Sequence, residues 1–494
     1  MQSGRPQFMF VDEFQDTDDV QIDAIRKIAE LQNYKLFVVG DVKQCIYRFR
    51  GAKENAFRRL GAERNQEWET YSLYKNYRTD RHLLDIFHET FADLGRQTDE
   101  DGEPLLTYSI SAGSTDRLVG TKYCNDPSEE SKFYKKIYIE DEKDRIPELF
   151  KEVDRQINLI KKLESSGEKL SENEKEIAIL VRENWQAEEV KKAGKNEGID
   201  IITNTGGDLY RSAPALDMLT LANALLHYDE ADYLYAFVSS NFIIGHASKS
   251  GMYFLRKNGS SQAKELQKII SGELSEINHD RWNDWNSIVK ALRFMPVLQV
   301  IRKIYEILKP WNNYGGDKNK WKRDNYRLNV DLLIEELINT ANMDSLSINS
   351  LVDILSANIA NAKNVDSRTP DVTGQEYVVR CVTVHKAKGL EYGAVILPYC
   401  SAAVDTMKRS AINVSVINDG FIKIGYRIKT DNDYIYQNDL FDRNMETNEQ
   451  MREETRILYV AMTRAIRSFS WIALKGRNCS CWQKLILEHK SNAV

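Results

Sequence analysis

Apolar and polar positions along the chain follow two different periods. Short apolar runs bounded by polar turns predict buried strands, and they alternate with segments of helical spacing such as 20–31. The runs that predict strands are 8–11, 35–39, 177–181, 377–384, 391–398 and 469–474. About 226–370 is mostly helical and polar, and 452–467 also has helical spacing. The alternation predicts an α/β fold with parallel sheets, interrupted by a mostly helical insert.

Composition places the chain among ordinary globular proteins. Its 494 residues are enough for roughly three domains. The net charge of −6 means that any nucleic-acid contact must come from local basic patches. The six cysteines complete no zinc or iron–sulfur pattern. The sequence has no signal peptide, and its apolar runs are far shorter than the ~20 residues of a membrane span, so we expect a cytoplasmic protein without membrane contact.

The most informative stretch is 8–17, where an apolar run ends in Asp12-Glu13. The run predicts a buried strand that brings two carboxylates to the C-terminal edge of a parallel sheet, where nucleotides bind. Asp12 could hold Mg²⁺ through the water shell of the ion, and Glu13 could orient or deprotonate an attacking water. An isolated Asp-Glu pair is usually a solvated strand end, but the Gln-Asp-Thr at 15–17 favours the functional interpretation.

A carboxylate pair of this kind needs a phosphate-binding loop, the Gly-rich turn with its Lys and Ser/Thr. The pattern G-x-x-x-x-G-K-[ST] does not occur in the 494 residues. The nearest fragment, 194–196, lacks the first Gly and the Ser/Thr. We therefore expect the isolated chain to lack appreciable ATPase activity.

Aromatic and basic residues alternate after the strand at 35–39. Gln44 lies just past the strand edge, where a neutral amide could sense a terminal phosphate. Tyr47, Phe49 and Arg50 follow, and rings beside guanidinium groups suit single-stranded nucleic acid. Spacing alone leaves the alternative equally open: the rings are core residues and the arginines lie at the surface.

Three later segments carry weaker signals. Tyr77-Arg78 could stack on a base and reach a phosphate. His385-Lys386 lies in a basic turn with Lys388 and Gly389, which makes a phosphate contact reasonable, although such a His is usually a polar surface residue. Arg464 follows a helical segment and could be either a surface ion pair or an arginine finger that stabilises charge on a transferring phosphate.

Together and in this order, the segments resemble the UvrD/Rep/PcrA family of superfamily-1 DNA helicases. Five blocks carry the resemblance: Val-Asp-Glu-Phe-Gln-Asp-Thr (11–17), Gly-Asp-x-x-Gln-x-Ile-Tyr-x-Phe-Arg-Gly-Ala (40–52), Asn-Tyr-Arg-Thr (76–79), Thr-x-His-x-x-Lys-Gly-Leu-Glu (383–391) and Tyr-Val-Ala-Met-Thr-Arg-Ala (459–465). Residues 178–182 and 205–207 resemble lesser landmarks. Phe49 stands where many members have Trp, and the His385-Lys386 pair is similar to the AddA/RecB branch.

The resemblance implies RecA-like motor domains of the P-loop NTPase type, the first of them truncated. Residues 1–70 would be the remnant of the first motor domain, and 71–225 with 379–494 would form the second. The helical insert, 226–378, would be the subdomain that contacts duplex DNA. The activity implied is ATP-driven translocation 3′ to 5′ along single-stranded DNA with separation of the duplex.

The resemblance also implies a role for each matching residue. Asp12 would hold Mg²⁺ and Glu13 would activate water. Gln44, Arg78 and Arg464 would contact the γ-phosphate. Nucleotide contacts would come from Tyr77 on adenine, Glu391 on the ribose, and Gly389 in the adjacent turn. The residues that would line the DNA path are Tyr47, Phe49, Arg50, His385 and Lys386.

Several hypotheses stay open at the level of sequence. The lead hypothesis is a UvrD-like helicase polypeptide of repair, recombination or defence that is a natural truncation, the product of a split gene whose partner supplies the P-loop, or an incomplete gene product. The alternatives are an ATPase-inactive single-stranded-DNA-binding or scaffold subunit, and a helicase-like subunit of a complex with a nuclease. The expected partners are single-stranded DNA, its junctions with duplex, and a P-loop-bearing chain or a nuclease subunit.

Overall fold

A computed structural model describes the chain over the following residues: 7–48, 56–57, 60, 69, 71–99, 101–109, 116–204, 209–243, 262–277, 282–316, 320–340, 346–361, 363, 365–368, 376–404, 412–418, 422–430, 434–477 and 480–487. The chain divides into two units, the first made of 1–203 with 375–494 and the second of 204–374. The second unit thus overlaps the predicted insert, 226–378, but it begins earlier, at residue 204, and ends earlier, at residue 374. The interpretation of these parts as motor domains and insert stays a prediction.

Strands and helices follow one another along the chain up to residue 204. These elements are β1 (Gln7–Val11), α1 (Asp19–Leu31), β2 (Tyr34–Val38), β3 (Lys75–Asp80), α2 (Arg81–Arg96), β4 (Val119–Lys122), α3 (Glu130–Phe133), β5 (Tyr134–Ile139), α4 (Arg145–Ser165), β6 (Glu176–Val181), α5 (Asn184–Asn196) and β7 (Ile201–Asn204).

The second unit consists of helices over the residues that the structure describes. They are α6 (Ala213–Leu226), α7 (Ala231–Val238), α8 (Gln262–Ile277), α9 (Trp285–Ala291), α10 (Val297–Leu308), α11 (Pro310–Gly315), α12 (Lys320–Thr340) and α13 (Ile348–Ala360). Their apolar faces share one core with Trp285 and Tyr326 fully buried in it. Within this core Asp217 accepts hydrogen bonds from Tyr326 Oη (2.8 Å) and Asn241 Nδ2 (2.7 Å).

The rest of the first unit begins after the second. Its elements are β8 (Val378–Thr383), α14 (Val384–Ala387), β9 (Tyr392–Leu397), β10 (Ile412–Asn418), β11 (Ile422–Lys429), β12 (Ile435–Gln437), α15 (Arg443–Met462), β13 (Ala465–Leu474) and α16 (Trp482–Leu487).

A six-stranded sheet with the order β5-β13-β9-β6-β8-β7 forms the centre of the first unit. The pairs β5–β13, β13–β9, β9–β6 and β6–β8 are parallel. Alternate residues of each strand face opposite sides, so Ala178 and Leu180 join the core with α2 and α15, whereas Ile177 and Ile179 join the core with α4 and α5. Helices therefore cover both faces, as the apolar runs predict.

Three smaller sheets accompany the central sheet. β1 and β2 pair in parallel from Gln7–Tyr34 to Val11–Val38, and β3 pairs in parallel with β4. β10, β11 and β12 form an antiparallel sheet that the apolar pattern does not predict. None of the helices in the described part of the chain combines the length and the apolar character that a bilayer crossing requires.

The predicted helix at 452–467 is wrong at both ends. α15 begins at Arg443, because the carboxylate of Asp442 accepts hydrogen bonds from the N–H groups of the first turn. The helix ends at Met462, and Ala465 already pairs with Tyr392 of β9. Residues 465–467 are therefore the beginning of β13, where pairing in the buried sheet outweighs the helical spacing.

Candidate functional site

The two carboxylates of Asp12-Glu13 follow β1 in a tight turn. Glu13 has φ 50° and ψ 39°, the left-handed region that L-residues other than Gly rarely occupy. Asp12 Oδ1 accepts a hydrogen bond from the N–H of Glu13 at 2.8 Å, and both side chains are exposed. Strained backbone of this kind is found at functional sites, and the turn leaves both carboxylates accessible to a ligand.

Gln15 connects this turn to the end of β2. Its buried amide donates to Glu13 Oε2 at 2.5 Å, and its Oε1 accepts from the N–H of Asp41 at 3.0 Å. A Cβ on Gly40 would lie 2.1 Å from Gln15 Oε1, so a larger residue would displace the amide. Gln15 thus orients Glu13, the candidate base. The sequence motif alone does not indicate this role.

The segment after β2 turns back on itself at 42–44. Gln44 Nε2 donates to Asp41 Oδ2 at 3.2 Å, and Tyr459 Oη of α15 donates to the same oxygen at 3.2 Å. Arg456, also on α15, donates from Nε to the carbonyl of Cys45 at 2.8 Å. Sequence reasoning missed Tyr459 and Arg456, since both read as ordinary helix positions.

Arg78 and Arg464 lie next to each other. Arg78 donates from Nε to Glu391 Oε2 at 3.0 Å and from Nη1 to the carbonyl of Thr463 at 3.3 Å. Arg464 is 1% exposed, and over the described residues its acceptors are neutral: the carbonyls of Val460 (3.0 Å) and Leu390 (3.1 Å) and the hydroxyl of Thr463 (3.0 Å). Arg464 is therefore a buried guanidinium and not a surface ion pair.

Burial first and the charge of Arg78 second lower the pKa of Arg464, while Tyr459, Tyr392 and the carboxylate of Glu13 act in the opposite direction, and the net pKa is about 10. A positive charge held in this way, beside a second guanidinium, attracts an anion. Glu13, Arg78 and Arg464 come from three distant segments, yet the fold brings them within electrostatic reach of one another.

Glu391 and Gly389 lie in the turn before β9. Burial opposes ionisation of Glu391, but hydrogen bonds from Asn173 and Arg78 outweigh it and lower its pKa. Gly389 has φ +81°, a backbone conformation that disfavours any side chain. Tyr77 precedes Arg78 with its ring 68% exposed, which leaves an open aromatic face near the two arginines.

The DNA-path candidates are described in part. Tyr47 Oη donates to the carbonyl of His385 at 3.1 Å, and His385 Nε2 lies 3.2 Å from the carbonyl of Ile46. Tyr47, His385 and Lys386 are all half-buried, and Tyr47 packs against the core, so its ring is not a free platform in this state. Phe49 and Arg50, and the landmark at 205–207, lie outside the described residues.

Lys388 contacts both groups of candidate residues, those proposed for hydrolysis and those proposed for the DNA path. Its ammonium contacts Asp16 Oδ2 at 2.5 Å and the carbonyl of Gln44 at 2.7 Å, lies 3.9 Å from Glu13 Oε2, and sits 5.0 Å from the centre of the Tyr47 ring. The basic turn had suggested a phosphate contact. In the structure Lys388 pairs with the carboxylates of Asp16 and Glu13, and no spacing in the sequence indicates that pairing.

These candidate residues suit Mg²⁺ and a nucleotide in their chemistry. No group of three or more His, Cys, Asp or Glu side chains in the described residues is placed to hold a metal. A single exposed carboxylate such as Asp12 nevertheless suits Mg²⁺, which keeps several waters and is bound with substrate phosphates. Arg78, Arg464 and Glu391 suit the phosphate and ribose of a nucleotide. When bound, Mg²⁺ would neutralise charge developing on the phosphates.

Comparison with protein families gives two adjoining matches. The model of the UvrD-like helicase C-terminal domain matches residues 71–473, and that of the UvrD/REP helicase N-terminal domain matches residues 2–64.

Curated relatives cover nearly the whole chain. RecBCD enzyme subunit RecB of Buchnera aphidicola subsp. Schizaphis graminum (strain Sg) is 24% identical over 92% of this chain and 36% of that protein. RecB of Haemophilus influenzae is 25% identical over 93% and 35%, and an ATP-dependent helicase/nuclease subunit of Staphylococcus aureus (strain USA300) is 25% identical over 93% and 38%. The chain thus spans little more than a third of the length of these relatives. It belongs to the family of UvrD-like helicases.

Proposed function

We propose that this polypeptide works as part of an ATP-dependent DNA helicase that moves 3′ to 5′ along single-stranded DNA, in repair, recombination or defence. The observation that carries the proposal is the convergence of Glu13, Arg78 and Arg464. A buried guanidinium with neutral acceptors beside a second guanidinium and an exposed carboxylate suits hydrolysis of a phosphoanhydride.

Each residue then has a chemical task. The amide of Gln15 orients Glu13, which takes the proton of the attacking water. Arg78 and Arg464 stabilise charge on the departing phosphate, with Gln44 turning from Asp41 toward it. Tyr77 and Glu391 hold the base and ribose, and Asp12 is the ligand for Mg²⁺. Tyr47, Phe49, Arg50, His385 and Lys386 contact the DNA strand.

A P-loop must reach this site from another segment or another chain, because the 494 residues contain no such sequence. The face of β1 and β2 that bears Phe8, Phe10 and Phe37 supports this step. The three rings are 48%, 71% and 46% exposed. Parallel strands are normally covered on both faces, so we propose that the P-loop-bearing segment packs here.

The test is reconstitution. The chain alone should show no appreciable ATPase activity, and addition of the P-loop-bearing segment of a related helicase should restore DNA-stimulated hydrolysis. Arg464→Ala should then lower turnover on the order of 10³-fold, and Glu13→Gln should bind nucleotide without hydrolysing it. Arg96→Ala is the matched control, since Arg96 is an exposed arginine paired with Asp93.

Two outcomes would count against the proposal. Full activity of the Arg464→Ala complex would remove that arginine from the reaction. A reconstituted complex that binds single-stranded DNA but hydrolyses no ATP would favour the ATPase-inactive DNA-binding or scaffold subunit.

A further inference from the structure

The second unit carries a strongly basic stretch in an acidic protein. Residues 290–309 contain five cations, Lys290, Arg293, Arg302, Lys303 and Lys309, and one acid, Glu306. The chain as a whole has a net charge of −6. A local excess of this size is what a protein of low overall charge needs to bind a polyanion.

Exposed apolar side chains accompany these charges. Phe294 and Met295 lie in the turn between α9 and α10 and are 86% and 36% exposed. The turn is held by hydrogen bonds from the N–H groups of Phe294 and Met295 to the carbonyl of Ala291, at 3.0 and 2.9 Å. A fixed backbone that presents a phenyl ring to solvent offers a stacking platform at low entropic cost.

An open groove lies beside this turn. It has a volume of about 310 Å³ and is lined by Trp282, Met295, Gln299, Arg302, Lys303 and Glu306. The four residues from α10 follow one another at helical spacing and form the polar stripe of a helix whose other face is buried. Glu306 lies 3.5 Å from Lys303, which leaves Arg302 as the cation of the groove outside that ion pair.

We propose that Trp282, Arg293, Phe294, Met295, Arg302 and Lys303, here called the α10 patch, bind single-stranded nucleic acid. Phe294 stacks on one base, the groove at Trp282 binds the neighbouring base, and Arg302 and Lys303 contact the phosphates. A duplex hides the base faces that an exposed ring needs. The five cations against one acid within 290–309 favour a polyanion over a protein partner. The inference rests on the proposed function, because it adds a second DNA-binding site to the one the helicase proposal already includes.

The experiment measures binding of a fluorescent oligothymidylate by the full chain across a salt series. Phe294→Ala should weaken binding by roughly ten-fold, since stacking on an aromatic ring is worth about that much per base. Arg302→Glu with Lys303→Glu should weaken it by roughly ten-fold or more and reduce the salt slope by about 1.4, for two lost phosphate contacts. Phe294→Trp should bind as wild type does. An iodouracil-substituted oligonucleotide should cross-link to the peptide that contains Phe294.

The controls separate this inference from the proposed function. Lys264→Glu with Lys268→Glu reverses two exposed charges of α8 and should cost far less than the reversal in the α10 patch. If Tyr47→Ala weakens binding while the α10 variants bind as wild type does, the patch is overturned and the helicase proposal stands. Weaker binding of the α10 variants to blunt duplex but not to the oligothymidylate would also overturn it, because the patch would then be a duplex-binding site. A wild-type chain that binds no oligonucleotide contradicts both.

Discussion

Two parallel sheets of the first unit are covered in different ways. In the six-stranded sheet, every residue of β6 and β9 is buried, with helices on both faces. In the sheet of β1 and β2, Val11, Leu36 and Val38 pack against Ile22 of α1 on one face. The other face exposes Phe8, Phe10 and Phe37, whose rings contact one another with centroids 5.3 to 6.2 Å apart.

Similar strand sequences therefore do not guarantee similar stability. A two-stranded sheet is marginal by itself, and its open aromatic face contributes little until something covers it. The candidate catalytic carboxylates follow this weaker sheet, whereas the candidate arginine Arg464 immediately precedes β13 of the stronger one. Assembly of the site thus depends on how the small sheet is held.

The largest contrast should come from matched phenylalanines. Phe469 in β13 is fully buried against Phe87 and Tyr134, so Phe469→Ala should lower the free energy of unfolding by about 3–5 kcal/mol. Phe10→Ala, at a position that is 71% exposed, should change it by about 0.5 kcal/mol or less. Urea unfolding of both variants measures the difference. Equal losses would mean that the face of β1 and β2 is already covered.

The open face should instead matter for association. Phe10→Asp should leave the unfolding of the chain nearly unchanged but weaken binding of a P-loop-bearing segment by about 2–4 kcal/mol, since a buried aromatic anchor is replaced by a charge. Titration calorimetry with the segment used for reconstitution measures the loss. Val20→Asp, at a position 77% exposed on α1, is the control for an added charge. If Phe10→Asp binds like the control, the P-loop-bearing segment packs elsewhere.

A smaller, local effect should follow from Lys388→Met. Lys388 is 6% exposed and ties the turn before β9 to Asp16, so its loss removes a cation from a partly buried carboxylate at a cost of about 1–3 kcal/mol. Hydrogen exchange should accelerate at 12–17 while β6 stays protected. Lys475→Met removes an exposed ion pair with Glu140 and should change neither rate. Unchanged exchange at 12–17 would show that other contacts hold the small sheet.

The smallest effect concerns acid sensitivity of the larger sheet. Burial raises the pKa of Glu152, but hydrogen bonds from Arg155, Gln156 and Ser470 outweigh it, so the net pKa lies below its ordinary value of 4.5. The stabilisation is present above about pH 4.5 and is lost as the pH falls through the pKa of the folded state. The stability difference between wild type and Glu152→Gln should therefore shrink on acidification. A difference that does not change with pH would contradict this assignment.

The class of the fold and the family could both be predicted from the amino-acid sequence. Apolar runs placed β6, β8 and β9 to within a residue or two, since a strand covered on both faces has no polar positions to confuse the pattern. The run at 469–474 begins four residues after β13 does, and no apolar run was predicted for β5 or β7. The order of five motifs identified the family, which the match over 71–473 shows. The antiparallel sheet of β10, β11 and β12 was not predicted, because its strands contain exposed apolar residues such as Val414, opposite Tyr426, and form no run buried on both faces.

Which side chains meet is a property of the folded chain. Spacing could not show that Arg464 is buried beside Arg78, that Lys388 faces Asp16, or that Tyr47 rests against His385. These contacts join segments that lie hundreds of positions apart. The local pattern of apolar residues shows which face of an element is apolar. Contacts between elements depend instead on the order of strands in the sheet, and that order is set only when the whole chain has folded.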